Sequence, residues 1–366
     1  MMYSRSPVPM LERFKVPEEI QVRIPERSFR ATINALYLKT GMPPEDAALA
    51  TDVIVTTDLW GNESHGVSNE LRGYIQSLRT GHINPRPNVR IVREFPGSAV
   101  IDGDKGHGSV VGPRAMEMAI EKARTTGVAA VTVFNCGHAG GVGYHAMLAA
   151  KQDMVGMSAT NWGGGVLPTF GAEPRLGTNP ISFAAPARNE APLMFDAATS
   201  QVPSNKINIA RRLGAKMMPG WIADENGVPI MKEVPVPSGK YYKLLLGSTR
   251  EMGSHKGYGL NMMVETLAGF LNFPFTDSPS GGHFFAAFNI AAFTDVDKFK
   301  TDMDRRLKTL RETRPAPGHD RVFYPGLPEF ETELERRANG IPLHLEVVEW
   351  FDRICEELGV EKLQRP

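Results

Sequence analysis

Apolar positions recur along this chain at two different periods, and the change of period divides it. Phe29, Ile33, Leu36 and Tyr37 fall at helical spacing and predict a first helix over Glu26 to Lys39. Pro43-Pro44-Glu45-Asp46 places proline early and acids in the first turn, so a second helix should open there and run through Val53 to Leu59. After Gly61-Asn62-Glu63-Ser64-His65-Gly66, the residues Val67, Leu71, Tyr74, Ile75 and Leu78 mark the buried face of a third helix. Gly81 is its plausible C-cap, and Pro85 and Pro87 end it.

Beyond Pro87 the texture becomes β-rich. Short runs appear at Val89–Val92, Ala99–Asp102, Ala129–Val133, Val155–Thr160, Pro180–Ala185 and Leu193–Phe195, with helices near Val110–Thr126 and Gly143–Gln152. This is the pattern of a mixed α/β lobe built on a sheet. Asp224-Glu225-Asn226-Gly227 reads as a turn. Leu260, Met263, Val264, Leu267 and Leu271 predict an apolar helix, most simply core, and Phe284–Phe293 a further strand. Val296, Phe299, Met303, Leu307 and Leu310 give an amphipathic helix whose basic outer face (Arg305, Arg306, Lys308) is solvated. Pro315-Ala316-Pro317-Gly318 is a loop, and helices over about Glu329–Arg337 and Leu343–Leu358 finish the chain. The division that follows is an arm over 1–25 that could pack on a partner subunit, a helical lobe from 26–88 with 295–366, and a ligand-binding lobe over 89–294.

Composition adds mostly exclusions. The 366 residues are 42% apolar and 22% charged, with 41 basic and 41 acidic side chains. A balanced charge without a basic tract argues against a nucleic-acid partner. No run approaches the roughly 18 apolar residues of a membrane span, and Met1 to Glu18 lacks the apolar stretch of a signal peptide. The two cysteines, Cys136 and Cys355, lie far apart and suggest free thiols in a reducing, cytoplasmic setting. No H-E-x-x-H, no paired C-x-x-C and no carboxylate cluster at ligand spacing is present, so no metal is expected.

Candidate chemistry collects at glycine-flanked junctions. Ser64-His65 stands at a helix start, where an imidazole can exchange protons near neutral pH, or where Ser64 can act as an ordinary N-cap. Hydrolysis by Ser64 is conceivable, but there is no G-x-S-x-G elbow and chain neighbours usually point apart. Asn135-Cys136-Gly137-His138-Ala139-Gly140-Gly141-Val142-Gly143 joins a strand to a helix and can cradle phosphate or simply turn tightly. Its spacing is not G-x-G-x-x-G, and the next strand ends in Asn161 rather than an acid, which excludes an ordinary Rossmann site. Gly103-Asp104-Lys105-Gly106-His107-Gly108 reads as a structural turn. Leu176-Gly177-Thr178-Asn179-Pro180 and Phe195-Asp196-Ala197-Ala198-Thr199-Ser200 put small polar residues at strand ends, where sheets present ligands. In Gly253-Ser254-His255-Lys256-Gly257, Lys256 could meet an anion at a helix start or be solvated.

Together, Ser64-His65-Gly66-Val67 with Tyr74, Gly81 and Ile83-Asn84-Pro85, His138 in its loop, Gly177-Thr178-Asn179-Pro180, Asp196 to Ser200, Lys206-Ile207, His255 to Leu260 and Tyr324-Pro325-Gly326 resemble the type-2 malate/L-lactate dehydrogenase family. The family spans malate, lactate, sulfolactate and ureidoglycolate dehydrogenases, diketogulonate reductase and cyclic-imine carboxylate reductases. The resemblance implies an α/β fold that is not Rossmann, with a largely antiparallel seven-stranded cofactor-binding sheet and a helical lobe. It implies NAD or NADP as cofactor and a homodimer or dimer of dimers. His65 would be the acid/base, Ser64 would orient it, and Lys206 would be a charge relay that lowers its pKa. Thr178 would touch substrate, and His138, Ala139, Gly140, Gly141, Asn161, Asp196, Ala197, Ala198, His255, Lys256, Gly257, Pro325 and Gly326 would hold cofactor.

Two departures stand out. Asn69 occupies the position of the family's carboxylate-binding arginine, so either 2-oxo acid binding is weakened or another residue such as Arg72 replaces it. The family's His-Phe-Gly is here His138-Ala139-Gly140-Gly141. The expected activity is hydride transfer between nicotinamide and a small 2-hydroxy acid. The alternatives are reduction of a cyclic imino acid or a ligand-binding member with altered chemistry.

Overall fold

The computed structural model describes residues 13–272 and 281–365. The three early helices form where the apolar spacing places them: α1 (Glu26–Lys39), α2 (Pro44–Leu59) and α3 (Val67–Arg79). The chain continues through β2 (Arg90–Phe95), β3 (Ser98–Gly106), α4 (Gly108–Thr126), β4 (Val128–Cys136), α5 (Val142–Ala150), β5 (Met154–Asn161), β6 (Ile181–Ala185) and β7 (Leu193–Ala197). After α6 (Ser204–Leu213) come the short strands β8 (Ile222–Ala223) and β9 (Tyr242–Lys243), then α7 (Ser254–Val264), β10 (Gly282–Asn289) and α8 (Val296–Arg311). The last elements are α9 (Leu327–Asn339), β11 (Ile341–His344) and α10 (Leu345–Leu358).

The central sheet has seven strands in the order β2-β3-β4-β10-β5-β6-β7. Only β3 and β4 are parallel, joined across α4; every other neighbouring pair is antiparallel. The Rossmann exclusion therefore holds, and the sheet is the largely antiparallel one expected. Its two faces are read from β10, where consecutive aromatics diverge. Phe285 joins Val131, Val133, Met116 and Ile120 under α4, whereas Phe284 joins Ala159, Val264 and Ala268 under α7 and its continuation.

The helical core binds the two ends of the chain. Phe29, Ile33, Ile54, Leu71 and Ile75 pack with Ile341, Leu343, Val347 and Phe351. Each fully buried side chain of this size contributes about 1.5–3 kcal/mol, which holds α3 firmly against its neighbours.

In the described part of the arm, Phe14 stacks on Trp221 at 5.3 Å, and Gln21–Ile24 (β1) pairs with β11 of the same chain. The first 12 residues of the arm lie outside the described residues. Several expectations about other elements are corrected. The apolar helix α7 is not core throughout, since Met263 is 49% and Leu271 53% exposed. Helical periodicity identifies an apolar face without saying what covers it. Here the helix also widens into a π-helical stretch over Glu265–Phe270, which changes the phase. The last β-run stops at Asn289, and Ile290–Ala292 coils into a 3₁₀ turn. The Gly103–Gly108 turn is largely strand, ending where His107 caps α4 by accepting from Ser109 N at 3.1 Å. Among the described residues no helix is long and apolar enough to cross a membrane, and no group of three His, Cys, Asp or Glu could hold a metal ion.

Candidate active site

The turn that carries Ser64 and His65 is fixed from beneath. Gly61, at φ 78°, reverses the chain at the end of α2. The carboxylate of Asp58, wholly buried, accepts from Val67 N at 2.8 Å and so caps α3 across the turn. Burial pushes its pKa up to about 7, against the lowering pull of that bond and of Arg336. Arg336 arrives from α9, donates to the Asp58 carbonyl at 2.6 Å and pairs with Glu63 at 2.5 Å. Asn69 Nδ2 donates to the Glu63 carbonyl at 2.7 Å and so ties α3 to the turn.

Within this frame Ser64 Oγ lies 2.8 Å from His65 Nδ1 and donates to Asn62 Oδ1 at 2.8 Å. The expectation that these chain neighbours point apart is corrected. A hydroxyl that gives its proton to Asn62 can only accept from the imidazole, which places the ring proton on Nδ1 and leaves the Nε2 lone pair free. The His65 ring stacks on that of His138, centroids 5.7 Å apart and planes 17° apart. Burial, and then His138, lower the His65 pKa to about 4, while Glu70 opposes them.

His138 enters on the loop that leaves β4. Its Nδ1 lies 2.7 Å from Tyr74 Oη and 3.8 Å from Glu70 Oε2, and its ring is 5.3 Å from that of Trp162. These residues, with Lys105 and Asn135, line a cavity of ≈ 410 Å³. Ala139 O is 2.9 Å from His145 Nε2. Gly140 (φ 75°) and Gly141 then lead into α5 with no side-chain cap. Asp196 Oδ2, at the end of β7, accepts from Gly143 N at 2.7 Å. Burial raises its pKa to about 6, and Glu329 adds to the effect. Pro325 accepts from Met194 N at 3.1 Å, and Gly326 (φ 103°) sits where a Cβ would be 2.5 Å from the Pro192 carbonyl. Thus His138–Gly141, Asp196–Ala198 and Pro325–Gly326, far apart in sequence, converge round β7 and the start of α5.

Other predicted residues are placed differently. Thr178 Oγ1 and N both approach the Trp162 carbonyl, at 3.4 and 3.1 Å, beside the cavity wall. Asn161 donates to Glu265 at 2.8 Å and supports the sheet end. His255 and Lys256 lie exposed on the first turn of α7, His255 3.0 Å from Arg250. Gly257 packs so closely that a Cβ would be 2.3 Å from the Leu246 carbonyl. The Arg72 side chain is 52% exposed, paired with Glu346 at 2.7 Å and lying over Trp350. The Lys206 ammonium lies 4.8 Å over the Phe14 ring; burial lowers its pKa, and Glu63 opposes that.

Sequence reasoning missed Arg336, Asn205, Lys243 and Glu70. Asn205 Nδ2 donates to Glu70 Oε1 at 2.5 Å. Lys243, buried at 8% exposure, donates to Ser204 Oγ at 2.7 Å.

A family model described as malate/L-lactate dehydrogenase matches residues 24–351. Malate dehydrogenase of Pyrococcus abyssi is 38% identical to this chain, over 95% of it and 98% of the relative. L-sulfolactate dehydrogenase of Methanocaldococcus jannaschii is 35% identical, over 92% and 97%. The crystal structure of malate dehydrogenase from Entamoeba histolytica superposes with a TM-score of 0.88 at 34% identity, covering 93% of this chain and 99% of that one.

Proposed function

The chain belongs to the malate/L-lactate dehydrogenase family, and from that premise we propose that His65 is the proton donor and acceptor in the interconversion of a small 2-hydroxy acid with its 2-oxo acid. The observation that carries the assignment is the Ser64–His65–His138 arrangement: one imidazole fixed through Nδ1, with its second nitrogen free, stacked on another that lines the cavity. With a pKa near 4 the ring is neutral at physiological pH, the form that accepts a hydroxyl proton. In the reverse direction it must be protonated. An anionic 2-oxo acid beside it favours that by adding negative charge.

Members of this family use a nicotinamide cofactor, which when bound supplies the hydride donor and acceptor. The residues present fit such a group. Gly140 and Gly141 leave the start of α5 bare of side chains and uncapped. Asp196 and the Pro325–Gly326 bend stand beside it, and the buried Glu329 Oε2 has no hydrogen-bond partner among the described residues. His138–Gly141, Asp196–Ala198 and Pro325–Gly326 would hold the cofactor, and Lys256 would meet one of its charged groups. Thr178 would touch substrate.

We further read the protein as cytoplasmic and as a homodimer or dimer of dimers. The free buried thiols Cys136 and Cys355 favour the first, and the exposed Met263, Phe270 and Leu271 favour the second. The division into a helical lobe and a cofactor lobe remains our reading. The shared core of α1–α3 with α10 supports it, although α8 packs on Ala191 and Tyr324 rather than on that core.

Fluorescence titration with NADH and NADPH, followed by a screen of 2-oxo acids, tests the proposal. Saturable binding of either nucleotide with turnover of an oxo acid is expected. No binding of either at millimolar concentration would overturn it.

A further inference from the structure

Glu70 is the carboxylate nearest the stacked histidines, and the acid/base reading of His65 gives it no part. It sits in the first turn of α3, one turn ahead of Tyr74, with its side chain only 16% exposed. Its Oε1 accepts from Asn205 Nδ2 at 2.5 Å. Its Oε2 stands 3.8 Å from His138 Nδ1, the nitrogen that lies 2.7 Å from Tyr74 Oη. His138 in turn lies flat against His65. The order Glu70, Tyr74, His138, His65 therefore sets one negative group behind two imidazoles that burial alone would keep neutral.

We propose that Glu70 is a positioning residue of the reaction: acting across the His138 ring, it balances the charge of the imidazolium that His65 must become in each turnover. This rests on the assignment of His65 as the acid/base. Of the other titratable groups about the pair, His107, His145 and His283 are buried imidazoles whose pKa values burial lowers, so they add no negative charge, and the charged groups are engaged elsewhere. Asp58 of α2 caps Val67 N, and Arg336 of α9 and Lys206 of α6 are directed to Glu63. Burial, and then the Glu70 charge, keep Tyr37 of α1 a neutral phenol, and Lys105 lies on the cavity wall. Glu70 is the group that stabilises the charged form of His65, and the Asn205 hydrogen bond holds its carboxylate in place.

The sign follows. Removing the carboxylate disfavours imidazolium, so the acid limb of kcat/KM for hydroxy-acid oxidation moves to lower pH. The alkaline limb for oxo-acid reduction moves the same way. An opposite charge in direct contact shifts a pKa by about 1–3 units, and one acting through an intervening ring by about half a unit to one unit. The experiment is the pH profile of both directions for Glu70→Gln, with Glu70→Asp and His65→Gln beside it and thermal melts to confirm folding. Expected are limbs displaced downward in Glu70→Gln and restored toward the parent in Glu70→Asp. A Glu70→Gln enzyme whose rates fall by any factor while both limbs stay in place overturns the proposal and leaves Glu70 a packing residue. Normal turnover in His65→Gln would overturn the acid/base assignment itself, a separate failure read from a separate variant.

Discussion

Gly66→Ala tests how the catalytic turn is held. Gly66 has ordinary extended dihedrals (φ −88°, ψ −172°), so alanine meets no backbone penalty there. The difficulty is space. A Cβ at Gly66 would lie 2.0 Å from Asp58 Oδ1, 2.5 Å from its Cγ and 2.9 Å from Oδ2, so the carboxylate must leave. Asp58 has no solvent to retreat into, and its departure strands Val67 N and crowds Arg336. Losing a hydrogen bond to a charged, buried group costs about 1.5–3 kcal/mol, and the forced repacking a further 1–3 kcal/mol or so. The stiffer unfolded chain returns about 0.4–1 kcal/mol. The net loss is about 2–5 kcal/mol, read from denaturant unfolding of parent and variant. Because His65 directly precedes Gly66, kcat should fall at least about tenfold, since about 1.4 kcal/mol of lost transition-state stabilisation suffices for that. A variant within about 0.5 kcal/mol of the parent, the scatter of ordinary surface substitutions, with unchanged kcat, would refute this account of the turn.

Two further outcomes are expected. Arg336→Ala leaves the buried Asp58 and Glu63 without their cation and should cost about 3–5 kcal/mol in denaturant unfolding, with a drop in kcat; a loss confined to a few tenths would show the pair to be dispensable. Burial holds Lys243 down near pKa 8, so between pH 8 and its unfolded value of about 10.4 the unfolded chain binds more protons and stability rises with pH. Lys243→Met should abolish that rise, worth up to about 3 kcal/mol, and parallel stability-versus-pH curves for variant and parent would contradict it.

The helices that carry the site were legible because their signals are local. Val67, Leu71, Tyr74, Ile75 and Leu78 are all buried as their spacing requires, and Pro44 with Glu45 and Asp46 opens α2. The sheet was legible as β-rich runs, but its strand order, with β10 inserted between β4 and β5, leaves no trace in local pattern. The site divides the same way. Ser64, His65 and His138 announce themselves by residue type beside glycines. Their support does not: Arg336 stands 273 residues from its partner Glu63, and Asn205 reaches Glu70 from 135 residues away. The carboxylate that Arg72 meets, Glu346 of α10, was likewise not legible from its place on a helix.

The most direct test of the central claim is steady-state turnover of His65→Gln together with its nucleotide affinity. Glutamine keeps a polar side chain beside Ser64 but cannot exchange a proton at neutral pH. The account predicts a fall in kcat of about 10²–10⁴ for both directions, with nicotinamide-fluorescence Kd values close to those of the parent. Turnover within a few-fold of the parent would remove His65 from the chemistry and with it the mechanism proposed for this site.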